Sequence, residues 1–124
     1  MTEHCHIDIE TYSEVPLTKT GVYRYAEDPS TRILCIAFYF QGEMYCWKEW
    51  ESPEQPAFAK LVSILEDKTV ELHAHNAQFE RVVMSHVGPE YGFPKTAIHR
   101  WHCTAVLAAL HALPRSLDGA TKAL

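Results

Sequence analysis

The sequence predicts an α/β or α+β layer fold, a mixed sheet with flanking helices. Three observations carry this. Segments with a strand-like period of two alternate along the chain with segments of helical period. The length, 124 residues, suits one hydrophobic core and so a single domain over residues 1–124. The composition, 47% hydrophobic and 22% charged, sits near the average for soluble globular proteins, and no apolar run suits a membrane span.

Residues 4–9 read as a first, short strand. Residues 11–29 have few periodic apolar positions and read as loop, with a turn of helix near 18–25. Arg32–Phe40 is rich in β-branched and aromatic residues and apolar on both faces, as in a central strand. Gln41-Gly42 supplies a turn, and residues 43–47 return as a third strand, closing a hairpin. Pro53 is expected to open a helix, with Pro56 in its first turns. Phe58, Leu61, Val62 and Leu65 then recur on one apolar face.

Residues 69–74 form the next expected strand. Asn76 is a suitable N-cap for a helix over 77–87, which Gly88-Pro89 ends. A short strand is expected at 101–104, then a helix to 113 with Val106, Leu107 and Leu110 inward. Pro114 stops it, and Ser116 caps a last helix reaching Leu124.

The net charge of −5 speaks against non-specific binding of duplex nucleic acid, which basic surfaces favour. It leaves room for a metal-dependent nuclease, whose ion-binding carboxylates keep the site acidic until ions bind. The opening MTEHCHIDIE carries charge too early for a secretory signal, so a cytoplasmic protein is expected. Cys5, Cys35, Cys46 and Cys103 lie among strand-like or apolar residues and read as buried free thiols.

Two constellations carry chemistry. The first is His6-Ile-Asp8-Ile-Glu10-Thr11. Alternation on a strand puts Asp8 and Glu10 on one face and Ile7 and Ile9 on the other. Adjacent carboxylates repel unless something positive lies between them, and hard oxygen ligands suit Mg²⁺ or Mn²⁺. An edge strand with one wet face would show the same pattern. The second is His73-Ala-His75-Asn76-Ala-Gln-Phe79-Glu80, where a strand gives way to a helix. Glu80 falls about one turn in, on a face shared with Ala77, Val83, Met84 and Val87. A favourable interaction with the helix dipole would also explain an acid there.

Together, in this order, the two constellations resemble the motifs of DEDD-type 3′–5′ exonucleases: Asp-x-Glu on the first strand, then an Asn shortly before a Phe/Tyr-Asp pair, here Asn76 and Phe79-Glu80 with Glu in the acidic place. The stretches Asp8–Ser13, Gly21–Ala26, Ala74–Arg81, Trp101–Thr104 and Leu113–Asp118 look like the start of phage-type family A DNA polymerases. The resemblance implies a ribonuclease-H-like exonuclease fold, C-terminally truncated. It implies proofreading-type phosphodiester hydrolysis assisted by two divalent ions, Mg²⁺ or Mn²⁺.

On the family's pattern, Asp8, Glu10 and Glu80 are the catalytic metal ligands, Asp8 bridging. Thr11, Tyr12, Asn76 and Phe79 become substrate neighbours. The implied partners are a single-stranded DNA 3′ end and, in a full-length relative, a polymerase domain. No membrane partner is expected. The third motif, Tyr-x-x-x-Asp, is missing: no Tyr follows Tyr91, and Asp118 lies in a Ser-Leu-Asp-Gly context. The expected last helix would then expose Leu117 and Leu124 and promote self-association.

Two further readings compete. An inactive remnant would keep the fold and bind metal or nucleic acid without turnover. A zinc module would draw on His4, Cys5, His6, His73, His75, His99, His102 and Cys103, but no Cys-x-x-Cys pair supports it. Nothing in the sequence reads a 2′-hydroxyl, so DNA and RNA are not separated here.

Overall fold

The computed structural model describes residues 2–52 and 54–110. The expected stop at Pro114, the helix from Ser116, its self-association and the part of the preceding helix after Leu110 lie outside these residues, as does Pro53.

Strand β1, His4–Tyr12, is longer than the sequence suggests. It alternates cleanly: Cys5, Ile7 and Ile9 are buried, while His4, His6, Asp8 and Glu10 are exposed. Two short helices follow, α1 at Leu17–Thr20 and α2 at Val22–Glu27, where mostly loop is expected. Gly21, at φ +80°, turns the chain between them. Strand β2 runs Arg32–Phe40 and β3 Glu43–Lys48. Gln41 and Gly42 both take positive φ, 51° and 80°, the backbone that a tight hairpin needs to match strand twist.

Strand β2 is apolar on both faces in sequence, but only one face is buried. Ile36, Phe38 and Phe40 go into the core, whereas Tyr39 stays 47% exposed. Helix α3, Pro56–Glu66, starts at the second proline, whose missing N–H costs nothing at a first helical position. Leu61, Ile64 and Leu65 supply its buried face. Strand β4 spans Glu71–Ala74, α4 Ala77–His86, β5 Trp101–Cys103 and α5 Thr104–Leu110. Val106 and Leu107 of α5, expected inward, are about half exposed at 48% and 53%.

The sheet order is β3-β2-β1-β4-β5. The pairs β1–β2 and β2–β3 are antiparallel; β1–β4 and β4–β5 are parallel. Parallel neighbours need crossover connections, and α3 and α4 provide them. Both pack on the same face of the sheet: Leu61 and Leu65 of α3 and Val82, Val83 and Met84 of α4 join one core with Cys5, Ile7 and Phe38. The opposite face carries the exposed residues of β1 with Tyr39 and Met44. No helix among the described residues is long and apolar enough to cross a membrane.

Arg100, just before β5, fastens the lower end of this layer. It is 3% exposed and donates from Nε to the Val70 carbonyl, and from its two terminal nitrogens to those of Leu65 and Ile64. The last carbonyls of a helix have no partners within the helix, and a cation complements the dipole there.

Candidate active site

Parallel pairing of β1 with β4 covers only His4, His6 and the residue between them. Strand β4 ends at Ala74, so Asp8 and Glu10 lie beyond it, on the stretch of β1 paired with β2 alone. They are therefore mid-strand on β1, not at its end, yet they sit at the rim of the parallel part of the sheet. Rims of this kind, past the carboxyl ends of parallel strands, are where open α/β sheets place ligands. Asp8 lies opposite Ala37 and Glu10 opposite Cys35 on β2. Burial raises the Cys35 thiol's pKa, with further contributions from Cys46, Glu10 and Asp8.

Glu80 reaches this rim from α4. It is 5% exposed, and its Oε2 is buried with no hydrogen-bond partner among the described residues. An ionised carboxylate in that setting is costly. Burial, opposed in part by its own backbone N–H and reinforced by Asp8, Cys103 and Glu10, pushes the Glu80 carboxyl up to about 8. Glu80 thus feels the charges of Asp8 and Glu10, the two acids expected to act with it. Asp8 also borders a cleft of about 250 Å³ on the exposed sheet face, shared with His6, Tyr39, His73 and Thr104.

In chemical type, though not in a gathered geometry, the three carboxylates suit a hard divalent cation. They offer carboxylate oxygens, one of them buried and orphaned, and a positive ion at that place would lower the cost of all three charges. Among the described residues, no group of three or more His, Cys, Asp or Glu side chains is gathered closely enough to hold a metal ion. That holds equally for the imidazoles. His4, His6, His73 and His102 form a ladder across β1, β4 and β5. His73 stacks on His6 and on His102 with centroids 4.8 and 5.0 Å apart. His4 Nδ1 lies 2.8 Å from His73 Nε2, and His102 Nε2 lies 2.8 Å from Glu71 Oε2. These rings face one another instead of converging on a point.

The expected substrate neighbours scatter around the carboxylates. Tyr12 is 51% exposed on the Asp8–Glu10 side, with the Arg32 guanidinium 5.9 Å from its ring centre. Thr11 turns the other way, toward the helical layer, after a register shift between Glu10 and Thr11 that leaves Leu34 of β2 unmatched. Its hydroxyl meets the Tyr25 hydroxyl at 2.7 Å. Phe79 is half-buried and packs against the Tyr25 ring, centroids 5.9 Å apart. Asn76 takes the N-cap position of α4 but does not cap with its side chain. It adopts the left-handed conformation, φ 75° and ψ 57°, and is exposed.

Three side chains take structural roles that a sequence reading does not reveal. Tyr25 is one and Arg100 another; each acts on partners distant in the chain. The third is Cys103, whose Sγ accepts the Ala77 N–H at 3.4 Å at the start of α4. Burial pushes that thiol's pKa up, but the backbone N–H groups of Ala77, Val106, Asn76 and Ala105 outweigh it and hold the pKa below its usual value. Of the four cysteines expected to be buried, Cys5 is and Cys46 is exposed; all four are free. Burial drives the Cys5 thiol up to about 12.

No protein-family model matches the chain. Over 118 residues it is 36% identical to a DNA polymerase of Bacillus phage SP02. That alignment covers 95% of this chain and 17% of the length of the polymerase. Among solved structures, a nuclease in its apo form superposes with a TM-score of 0.50 and 18% identity, over 86% of this chain and 42% of that one. Brucella melitensis NrnC gives a TM-score of 0.49 and 20% identity over 88% and 44% of the two chains.

Proposed function

We propose that this ribonuclease-H-like chain, similar along 95% of its length to a phage DNA polymerase, is the amino-terminal portion of a two-metal 3′–5′ exonuclease domain. The observation that carries the reading is Glu80: a buried acid with an orphaned oxygen, held at the rim where Asp8 and Glu10 stand. Structural acids seldom accept that cost without a ligand to relieve it.

In this reading Asp8, Glu10 and Glu80 bind divalent ions, Mg²⁺ or Mn²⁺. When bound, such ions supply Lewis-acid activation of a water and charge stabilisation at a phosphate. The chain's own residues do the rest. Asp8 and Glu10, two apart on one strand, present their oxygens in parallel from a rigid element. Glu80 is carried by α4, whose N-terminal dipole favours negative charge at that end. The half-buried Phe79 and the exposed Tyr12 offer aromatic faces suited to unstacked bases at a single-stranded 3′ end. Asn76 is exposed at the mouth of α4 and available to a sugar or phosphate.

The complete site takes a fourth carboxylate, which these 124 residues do not offer in the Tyr-x-x-x-Asp form. It would come from sequence beyond them, and in the full protein a polymerase domain would stand alongside, in the cytoplasm. That no group of three or more such side chains among the described residues is gathered to hold an ion favours a second reading, binding without turnover.

One assay separates the two: Mn²⁺-dependent release of mononucleotides from single-stranded DNA by this chain, by its Asp8→Ala variant and by a longer natural chain. Release by the longer chain alone supports the binding-only reading for this one. Inactivity of both would sink the exonuclease proposal. Running DNA and RNA oligomers in parallel identifies the sugar preference.

A further inference from the structure

The neighbours of two proposed ligands meet at a single side chain. Thr11 follows Glu10 on β1, and Phe79 precedes Glu80 on α4. Tyr25 of α2 touches both. Its hydroxyl bonds the Thr11 hydroxyl at 2.7 Å, and its ring lies against Phe79 with centroids 5.9 Å apart.

Tyr25 is itself firmly held. It is 8% exposed; its carbonyl accepts a hydrogen bond from the Thr31 hydroxyl, and its N–H donates to the Gly21 carbonyl. Helix α2 packs along α4, and the buried Ala26 beside Tyr25 belongs to the main core. Tyr25 bonds β1 at Thr11, the first residue after the register shift in its pairing with β2.

We infer that Tyr25 is a positioning residue for the ion site, a strut that sets the distance between the carboxylate strand and the helix bearing Glu80. This rests on the reading of Asp8, Glu10 and Glu80 as ion ligands. The ring keeps α4 from sliding along the sheet, and the hydroxyl fixes the strand end. Without the hydroxyl bond, the Glu10 side of the site loses its anchor to the helical layer while the core beneath is unchanged. Ion affinity should therefore respond more strongly than global stability.

The experiment is Mn²⁺ binding to the 124-residue chain, followed by electron paramagnetic resonance of free Mn²⁺, with thermal midpoints measured on the metal-free protein. Tyr25→Phe and Thr11→Val are each expected to weaken Mn²⁺ binding about tenfold, at the low end of what loss of a ligand-orienting partner costs. The double variant should lose no more than either single one, and Thr11→Ser should restore wild-type affinity. Should Tyr25→Phe fail to fold, Thr11→Val and Thr11→Ser test the same bond from the other side.

Wild-type affinity in both Tyr25→Phe and Thr11→Val, with binding lost in Asp8→Asn, would overturn the role of Tyr25 and leave the site reading intact. So would losses that simply add in the double variant. No Mn²⁺ binding by the folded wild-type chain would remove the site reading and this inference together.

Discussion

Arg100 donates a 2.6 Å hydrogen bond to the carbonyl of Leu65, across 35 residues of sequence. Two further bonds, to Ile64 and Val70, make this one side chain the cap of α3 and a clasp between that helix and the start of β4. Burial lowers the guanidinium's pKa, while Asp67 and Glu71 act in its favour. Arg100→Ala strands three carbonyls in a dry place and should cost about 3 kcal/mol or more. Arg100→Lys should recover only part of it, because an ammonium cannot fork to three acceptors. Urea unfolding midpoints at constant m-value check both.

Glu80 makes the metal-free protein sensitive to alkali. Its folded-state pKa is raised from 4.5 to about 8. Between those values the folded state holds a proton that the unfolded state has lost, so stability falls as pH rises through that window. The slope for one such group is at most about 1.4 kcal/mol per pH unit. Glu80→Gln should flatten it. Mg²⁺ or Mn²⁺ should stabilise the wild type increasingly as pH rises, as an ion competing with the Glu80 proton requires. Thermal midpoints from pH 5 to 8.5, with and without ion, test this. A flat wild-type profile would contradict the buried, orphaned carboxyl.

His73 acts in the acid range with the opposite sign. Burial, then the neighbouring imidazoles of His6, His102 and His4, lower its pKa from 6.5 to about 4. Between these values the unfolded state binds the extra proton, so stability is full above 6.5 and declines as pH falls toward 4. The ring proton resonances of His73 should therefore stay at their neutral shift down to about pH 4. His73→Asn should lessen the acid sensitivity of unfolding.

Asn76 separates backbone from side-chain roles. Its left-handed backbone, φ 75°, strains most residues with a Cβ but not glycine. Asn76→Ala should lose about 1 kcal/mol, whereas Asn76→Gly should be neutral or slightly stabilising. If the exposed amide contacts substrate, Asn76→Gly will still weaken oligonucleotide binding. Thermal melts and binding titrations on the same two variants distinguish these outcomes.

What the sequence determined on its own was local. The β-branched and aromatic run Arg32–Phe40, the Gln41-Gly42 turn and the returning strand specify the β2–β3 hairpin, because strand propensity and a positive-φ turn depend only on adjacent residues. The helical spacing of Leu61 and Leu65 placed α3 for the same reason, and alternation alone put Asp8 and Glu10 on one exposed face. Tertiary structure decided what depended on residues far apart. It left one face of β2 exposed, extended β1 to Tyr12 along its β2 partner, and buried Glu80 without a partner for Oε2. It also joined Thr11 to Tyr25 and Arg100 to Leu65. Burial and long-range hydrogen bonds are properties of the assembled layers, so no window of neighbouring residues contains them.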